Sequence, residues 1–273
     1  NGHNVLSISD RDLTHNNRSI FDVKGVNYFN DKIFNNFINF KPDLIVMGHA
    51  DKVLKETLLK IKKIKNVKLC QWFLDPVNKF GPDYSKNKKR ILELDKVIDC
   101  TFITTSPDAI NYKIHNSFFM PNPTDMSFEI LNNAQKKNKK DLFFAMSHGV
   151  HRGTLKKGKF DNREVVLKKL EKILTTITYD FFGYKNKQPI WSDNFLEILK
   201  NYDMGLNLSR GKPIKYYSSD RLVQIIGNGL LCFIDERTKL QKLIPKSYAV
   251  YYKDIPDLIK KILFYKKNTK LLK

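Results

Sequence analysis

Short apolar runs of strand length recur along the chain, each followed by a polar turn and then by a stretch with helical spacing. This alternation is typical of parallel sheets built from β-α-β units, because a buried strand reads as a continuous apolar run. The runs fall into two successive series, so we predict an α/β protein with two Rossmann-like, doubly wound domains. The ten runs are Asn4–Ser9, Leu44–Gly48, Lys68–Leu74, Thr101–Thr105, Ser117–Met120, Asp141–Met146, Tyr179–Gly183, Met204–Leu208, Gly229–Ile234 and Ala249–Tyr252. Helical stretches between them include Asp51–Lys65, Arg163–Thr175, Ser192–Asn201 and Ile255–Tyr265.

A break between the two series is visible in the sequence. Pro121-Asn122-Pro123-Thr124-Asp125 closes the first series, and the polar run Asn132–Lys140 leads into the next strand. We therefore predict an N-terminal domain over residues 1–125, a linker over 126–140 and a C-terminal domain over 141–273. The chain opens on Gly2-His3 before an apolar run, which is the usual approach to the second strand of such a domain. A preceding strand and helix are expected to be missing from this sequence.

The composition restricts the class of protein. The hydrophobic fraction is 41% and the mean hydropathy is −0.43, as expected of a soluble globular protein. The sequence contains no run of about 18 apolar residues, so it predicts no membrane-spanning helix. The net charge is +21, but 41 of the 49 basic residues are Lys, which is typical of an AT-rich genome. Basic runs interleaved with aromatic residues, as in RNA-binding surfaces, do not occur. We expect a cytoplasmic protein without a specific nucleic-acid partner, and peripheral contact with an anionic membrane stays open.

Three cysteines lie far apart in the sequence, in or beside apolar runs. Their number is odd and no CxxC pair occurs, so Cys70, Cys100 and Cys232 are predicted to be small core residues in a reducing compartment.

Polar residues at the carboxyl ends of the strands are the first candidates for a binding site, because ligands of open α/β sheets bind there. In the first domain they are His49, Asp51, Asp75, Ser106 and Asn122. In the second domain they are Ser147, His148, Gly183, Tyr184, Asn207, Ser209, Arg210 and Asp235. Arg152 follows Ser147 and His148 closely and is included because arginine suits phosphate oxygens, although a plain loop explains it equally well.

The segment from Gly205 to Gly229 is the most informative in the chain. A strand ends at Leu208, a polar loop follows, and a short helix over about 220–227 ends at Gly227-Asn228-Gly229. Ser218 or Ser219 is predicted to cap this helix, whose free N–H groups suit a diphosphate. Arg221 lies in the first helical turn, where the helix dipole disfavours a cation, so a nearby anion would explain it. The alternative is a loop of solvated basic residues.

The same region carries a set of motifs that resembles a known family. The motifs are Tyr179-Asp-Phe-Phe-Gly-Tyr184, Gln188-Pro189-Ile190-Trp191, the Asn-Leu-Ser-Arg strand end at 207–210, the Ser-Asp-Arg-Leu-Val-Gln-Ile-Ile-Gly-Asn-Gly segment at 219–229, and the acidic strand end Phe233-Ile234-Asp235. As a set they resemble the C-terminal domain of group-1 glycosyltransferases of the GT-B fold, in particular the CgeB/YkvP-like branch. The resemblance covers most of residues 141–265 and extends more weakly to 71–76 and 120–123.

The resemblance implies that a sugar is transferred from a nucleotide-diphosphate sugar, held mainly by the second of two domains facing a cleft, to a glycan, lipid-linked or other acceptor hydroxyl. By position, Arg221 and the Ser218–Asp220 loop would face the donor phosphates. Gln224 stands where many relatives have a Glu that contacts the donor; an amide can hydrogen-bond a hydroxyl but carries no charge. The full predicted donor set is Ser147, His148, Arg152, Gly183, Tyr184, Asn207, Ser209, Arg210, Tyr217, Ser218, Ser219, Asp220, Arg221 and Gln224.

His49 and Asp75 are the predicted catalytic residues, because either strand end could bring a general base to the acceptor hydroxyl. Each has a structural alternative: His49 could cap a turn, and Asp75 could cap the segment before Pro76. A retaining enzyme would need no such base.

No metal or cofactor is expected. Asp10-Arg11-Asp12 is a DxD triplet, which binds a metal in the GT-A glycosyltransferase fold, but it comes too early in the chain and the two series do not fit that fold. GxGxxG, Walker and GxSxG motifs are absent.

Two alternative functions remain at this stage. One is a nucleotide-sugar epimerase or hydrolase on the same fold. The other is a non-catalytic protein that binds a nucleotide-sugar or an anionic surface, which Gln224 in place of an acidic residue favours.

Overall fold

The computed structural model describes residues 2–81, 83–136, 138–147 and 162–272. The chain divides into two compact units. The first unit comprises Asn1–Lys79, Asp83–Ile103 and Ile110–Met120, and the second comprises Phe80–Pro82, Thr104–Ala109 and Pro121–Lys273. Each unit contains one parallel sheet with alternating helices, which confirms the predicted α/β class. The domain and linker boundaries drawn from the sequence stay a prediction.

The first unit contains a four-stranded sheet in the order β1-β2-β3-β4, with all strands parallel. Its strands are β1 (Leu44–Met47), β2 (Lys68–Phe73), β3 (Cys100–Ile103) and β4 (Ser117–Phe119). Its helices are α1 (Asp10–Asn16), α2 (Val26–Phe40), α3 (Lys55–Ile64) and α4 (Tyr84–Leu94).

The two faces of the first sheet differ sharply in burial. Met47, Leu69 and Ile103 point to one face and belong to the buried clusters formed with α2, α3 and α4. The opposite face carries Val46 and Phe118, which are 60% and 56% exposed. Within the described residues, no side chain of that face belongs to a buried cluster of this unit.

The predicted strand Asn4–Ser9 is wrong. These residues form no strand in the structure and lead instead into α1, where Ser9 accepts a hydrogen bond from the Asp12 N–H at 3.3 Å. Val5 is 78% exposed. The run has the right residue types for a strand, but a strand forms only where a neighbouring strand completes its hydrogen bonds.

The second unit contains a five-stranded parallel sheet in the order β6-β5-β7-β8-β9. Its strands are β5 (Lys140–Ala145), β6 (Tyr179–Phe182), β7 (Tyr202–Asn207), β8 (Leu231–Asp235) and β9 (Ala249–Tyr252). Its helices are α5 (Asn162–Ile173), α6 (Ser192–Leu199), α7 (Asp220–Gly227) and α8 (Ile255–Lys267). Strand order reverses between β5 and β7, and both faces are covered: Phe144 packs with α5 and α8, whereas Phe143 packs with α6 and α7.

The segment preceding β5 is tied to the second unit by asparagine side chains. Asn133 is 1% exposed, and its Nδ2 donates to the carbonyl oxygens of Leu199 and Tyr202, both at 2.9 Å. Asn228, at the end of α7, accepts from the backbone N–H groups of Leu131 and Asn133. A polar composition therefore does not prevent this part of the predicted linker from packing.

None of the described helices is both long enough and apolar enough to cross a membrane.

Close packing of α7 on β7 depends on Gly205. A Cβ atom built at Gly205 would lie 2.8 Å from Cδ1 of Ile225, well inside van der Waals contact. We expect Gly205→Ala to lower the free energy of unfolding by about 1–3 kcal/mol, as overpacking of a core does. Urea denaturation followed by circular dichroism measures this. Gly48→Ala is the control, because a Cβ at Gly48 meets nothing within 4 Å; equal losses in both variants would contradict the packing argument.

Candidate functional site at the carboxyl edge of the second sheet

The reversal of strand order between β5 and β7 defines where a ligand is expected. In an open parallel sheet the loops leaving two such strands diverge to opposite faces and leave a crevice at their carboxyl ends. Ala145 ends β5 and Asn207 ends β7. The loop after β7 leads to α7, whose first turn returns to this point.

Arg221 occupies the reversal point. Its Nε donates to the carbonyl oxygen of Ala145 at 2.6 Å, and its Nη1 donates to the carbonyl oxygen of Leu208 at 2.8 Å. The guanidinium also lies over the Phe144 ring, with Cζ 4.7 Å from the ring centre. Arg221 therefore joins the ends of both strands to the start of α7. The sequence located it correctly in the first turn but gave no sign of this structural role.

The charge on Arg221 is poorly compensated. Although part of its surface stays accessible, enough protein atoms enclose the guanidinium to lower its pKa to about 10, and the nearby positive charge of Arg163 acts in the same direction. At neutral pH the group is still charged. Two like charges close together in a partly enclosed position favour the binding of an anion between or beside them.

Arg163 was not among the predicted site residues. It is 8% exposed and lies at the second position of α5, where a cation is disfavoured by the helix dipole, as it is for Arg221. The same signal that drew attention to Arg221 in the sequence could therefore have found Arg163. The preceding residue, Asn162, exchanges two hydrogen bonds of 3.0 Å with the backbone of Gly211 and so ties the start of α5 to the loop after β7.

A pocket of about 360 Å³ is lined by Arg163, together with Asn207 and Ser209 at the end of β7. Asp235, another lining residue, is engaged by the Arg237 guanidinium, with Nη2 and Oδ2 2.5 Å apart. Positive charge is in excess in the lining, because the cations Arg163, Lys169, Arg237 and Lys253 outnumber the carboxylates Asp235 and Asp254.

Asn207 stands out within this lining. It is 5% exposed, and its Oδ1 is buried without a hydrogen-bond partner among the residues that the structure describes. A buried amide oxygen without a partner costs about 1–3 kcal/mol, so such groups usually mark a place where a ligand or water completes the bonding. Asn207 and Ser209 are thus predicted residues that the structure brings together at one pocket.

The start of α7 holds the next group of predicted residues. Ser219 is the N-cap residue, but its side chain accepts from Arg221 Nη1 at 3.3 Å instead of capping the helix. Ser218 is 4% exposed, and its carbonyl oxygen accepts from Asn122 Nδ2 at 3.2 Å. The expected side-chain cap at Ser218 or Ser219 is therefore wrong, and the first N–H groups of α7 receive no such cap.

The remaining predicted donor residues are more scattered. Gln224 is half-buried on α7, Ser147 is exposed just after β5, and Arg210 and Tyr217 lie in the loop between β7 and α7. Asp220 accepts a long hydrogen bond from Asn122 at 3.4 Å. Their contact with a ligand stays a prediction. His148 and Arg152 lie outside the described residues.

Gly183 and Tyr184 do not join this group. Gly183 has a φ of 77°, so the chain turns sharply after β6 and directs Tyr184 toward the core. Tyr184 is 7% exposed, and its hydroxyl donates to Glu171 at 3.3 Å. Burial raises the pKa of Tyr184. Its observed contacts are those of a core residue.

His49 and Asp75, predicted from separate strand ends of the first unit, lie side by side. His49 Nε2 is 3.5 Å from Asp75 Oδ2, and the His49 ring packs on Phe73 with ring centres 4.8 Å apart. The Asp75 side chain is 51% exposed. A carboxylate next to an imidazole, at the carboxyl edge of a sheet, can orient the ring as a general base.

Within the described ranges, no group of three or more His, Cys, Asp or Glu side chains could hold a metal ion. Asp10 and Asp12 of the DxD triplet are described residues and belong to no such group.

Comparisons with known proteins find a matching family model and solved structures of similar fold. Residues 163–273 match the model of a family described as glycosyl transferase-like. Among solved structures, the Anabaena protein HepE in complex with UDP and glucose is similar, with a TM-score of 0.53 and 12% identity over 94% of this chain and 76% of that one. The fold is GT-B.

Other similar solved structures have different descriptions. A Listeria monocytogenes protein provisionally assigned as a UDP-N-acetylglucosamine 2-epimerase has a TM-score of 0.50 and 11% identity over 93% of this chain and 74% of that one. An accessory secretory protein structure from Streptococcus pneumoniae has a TM-score of 0.53 and 10% identity over 92% of this chain and 52% of that one. No curated protein matches the chain. The narrower CgeB/YkvP-like assignment stays a prediction.

The structural role of Arg221 can be measured directly. We expect Arg221→Met to lower the free energy of unfolding by about 1–3 kcal/mol, because two backbone carbonyl oxygens lose their donor. Urea denaturation of the ligand-free protein gives this value. Lys242→Met also removes one positive charge, from an exposed position, and should leave the stability nearly unchanged. A stable Arg221→Met variant would show that Arg221 does not hold the strand ends together.

Proposed function

We propose that the protein is a glycosyltransferase that moves a sugar from a nucleotide-diphosphate sugar to an acceptor hydroxyl. The observation that supports this most is the closeness of two cations, Arg221 at the strand reversal of the second unit and Arg163 at the start of α5. A diphosphate is a dianion or more at neutral pH and would relieve their repulsion. The family match over 163–273 and the fold shared with HepE, whose structure contains UDP and glucose, support the same reading.

The proposed donor site uses the carboxyl edge of the second sheet. The uncapped start of α7 offers N–H donors to the phosphates, and the two arginines offer charge. Asn207 Oδ1 would accept a hydrogen bond from a hydroxyl of the ribose or the sugar, which would satisfy this unpaired oxygen. In the transition state, negative charge grows on the departing diphosphate, so cations already in place stabilise it more than the ground state.

The proposed acceptor chemistry belongs to the first unit. His49 would take the proton of the acceptor hydroxyl as its oxygen forms a bond to the anomeric carbon, and Asp75 would hold the ring and stabilise the imidazolium. We propose a glycan, a lipid-linked sugar or another glycoconjugate as the acceptor. We further propose that transfer needs no metal and takes place in the cytoplasm, with peripheral contact to anionic membrane where the acceptor is lipid-linked.

The binding step is tested with a panel of UDP, GDP and CMP and their sugar conjugates in isothermal calorimetry. We expect one family of nucleotides to bind, and Arg163→Met to weaken that binding by about 1–3 kcal/mol, or roughly 5- to 150-fold. Lys172→Met removes one charge from the last turn of the same helix and is the matched control. If no nucleotide binds, the proposed function is wrong; if both variants bind equally well, Arg163 lies outside the site.

The catalytic step is tested by product analysis. With donor and an acceptor library, we expect sugar transfer that a chelator does not abolish. We expect His49→Gln to lower kcat by about 10²- to 10⁴-fold while the affinity for the nucleotide stays the same, because His49 is proposed to act on the acceptor alone. Unchanged kcat in His49→Gln would remove this residue from the chemistry.

The same assay separates the alternatives. Donor turnover without any acceptor would favour an epimerase or hydrolase, and nucleotide binding without any turnover would favour a non-catalytic binding protein.

A further inference from the structure

Two cysteines that are 30 positions apart in the sequence are direct neighbours in the first sheet. Cys70 in β2 and Cys100 in β3 are register partners. In a parallel sheet, register partners point to the same face, so both thiols emerge on the face opposite the buried helices. The sequence alone had suggested three isolated core cysteines.

The two thiols lie close enough to influence each other. Burial and the neighbouring Cys70 thiol both raise the pKa of Cys100, and both cysteines are free and partly buried. Val46, which is 60% exposed, is the register partner of Cys70 on the other side. The pair therefore lies on an accessible, largely apolar surface.

The register of the pair allows both sulfurs to bind one ion. Adjacent strands lie about 4.8 Å apart, and Cys70 and Cys100 are register partners on the same face. Two thiolates on one tetrahedral ion, with metal–sulfur bonds of about 2.3 Å, have their sulfurs roughly 3.8 Å apart. Side chains that are directly opposite each other on paired strands can reach that separation, so the strands need not move.

We propose that Cys70 and Cys100 form a two-thiolate binding site for a soft, thiophilic cation. Each thiol loses its proton to solvent as its sulfur–metal bond forms, and neither sulfur changes its oxidation state. Water or an external ligand fills the other positions of the ion. Soft thiolates select such ions over hard ones such as Mg²⁺, which prefer oxygen ligands.

Cys232 provides an internal comparison. It is 0% exposed within the core between the sheet and α7, and its register partners are Gly205 and Ala249. A single enclosed thiol without a second sulfur next to it offers no chelate. Any ion bound through Cys70 and Cys100 should therefore leave Cys232 unaffected.

Cadmium is a suitable probe, because thiolate-to-cadmium charge transfer absorbs in the ultraviolet. We titrate the reduced full chain with Cd²⁺ in a buffer containing excess Mg²⁺. We expect one Cd²⁺ per chain, and Cys70→Ser and Cys100→Ser each to weaken binding by about 100-fold or more, since the chelate is broken. Cys232→Ser should bind like the unmodified chain. Unaltered binding in the Cys70→Ser/Cys100→Ser double variant, or no charge-transfer band at all, would overturn the proposal.

A second measurement needs no substitution and so does not depend on variant folding. The unmodified chain is alkylated with iodoacetamide with and without Cd²⁺, and each cysteine is mapped by mass spectrometry. We expect Cd²⁺ to protect Cys70 and Cys100 together while leaving the slow labelling of Cys232 unchanged. Protection of neither, or of one without the other, would contradict a shared site.

Discussion

The guanidinium of Arg221 connects three parts of the second unit that must come together for a site to exist: the end of β5, the end of β7 and the start of α7. Enclosing a cation is costly unless its donors are satisfied, and here backbone carbonyl oxygens satisfy two of them. Carbonyl oxygens are dipoles rather than charges, so the net positive charge persists. The interaction that organises the strand ends thereby also makes them attractive to an anion.

Much of this architecture could be predicted from the sequence, because period and strand length are local properties. Nine of the ten apolar runs became strands, and the short helix after Leu208 formed where its Gly-Asn-Gly stop placed its end. The remaining run, Asn4–Ser9, formed no strand because strand pairing is not a local property. Val5 and its neighbours had the composition of a strand but no adjacent strand to bond with. The burial of Tyr184 was unexpected for a related reason, since the positive φ of Gly183 turns the chain in a way that strand-end position alone does not reveal.

Relations across strands were the least predictable part. His49 with Asp75, and Cys70 with Cys100, depend on which residue of one strand lies opposite which residue of the next. The hydrophobic pattern of a strand fixes which of its residues point to the buried face. It does not show which strand lies next to it or which residue of that strand lies opposite a given position. His49 and Asp75 could each be identified as candidate site residues from the sequence, because both follow strand ends. Cys70 and Cys100 could not, because they lie within strands.

The second unit is not one continuous stretch of sequence. Thr104–Ala109 follow β3 in the chain yet belong to the second unit, where the Ser106 N–H donates to the Lys215 carbonyl oxygen at 3.2 Å and Asp108 pairs with the Lys215 ammonium. A gene fragment that starts at the interdomain proline segment would therefore encode a body lacking one of its own surface pieces. For recombination between related genes, this means that no single crossover exchanges the second unit alone, so its carboxyl edge and the 104–109 segment are expected to evolve together.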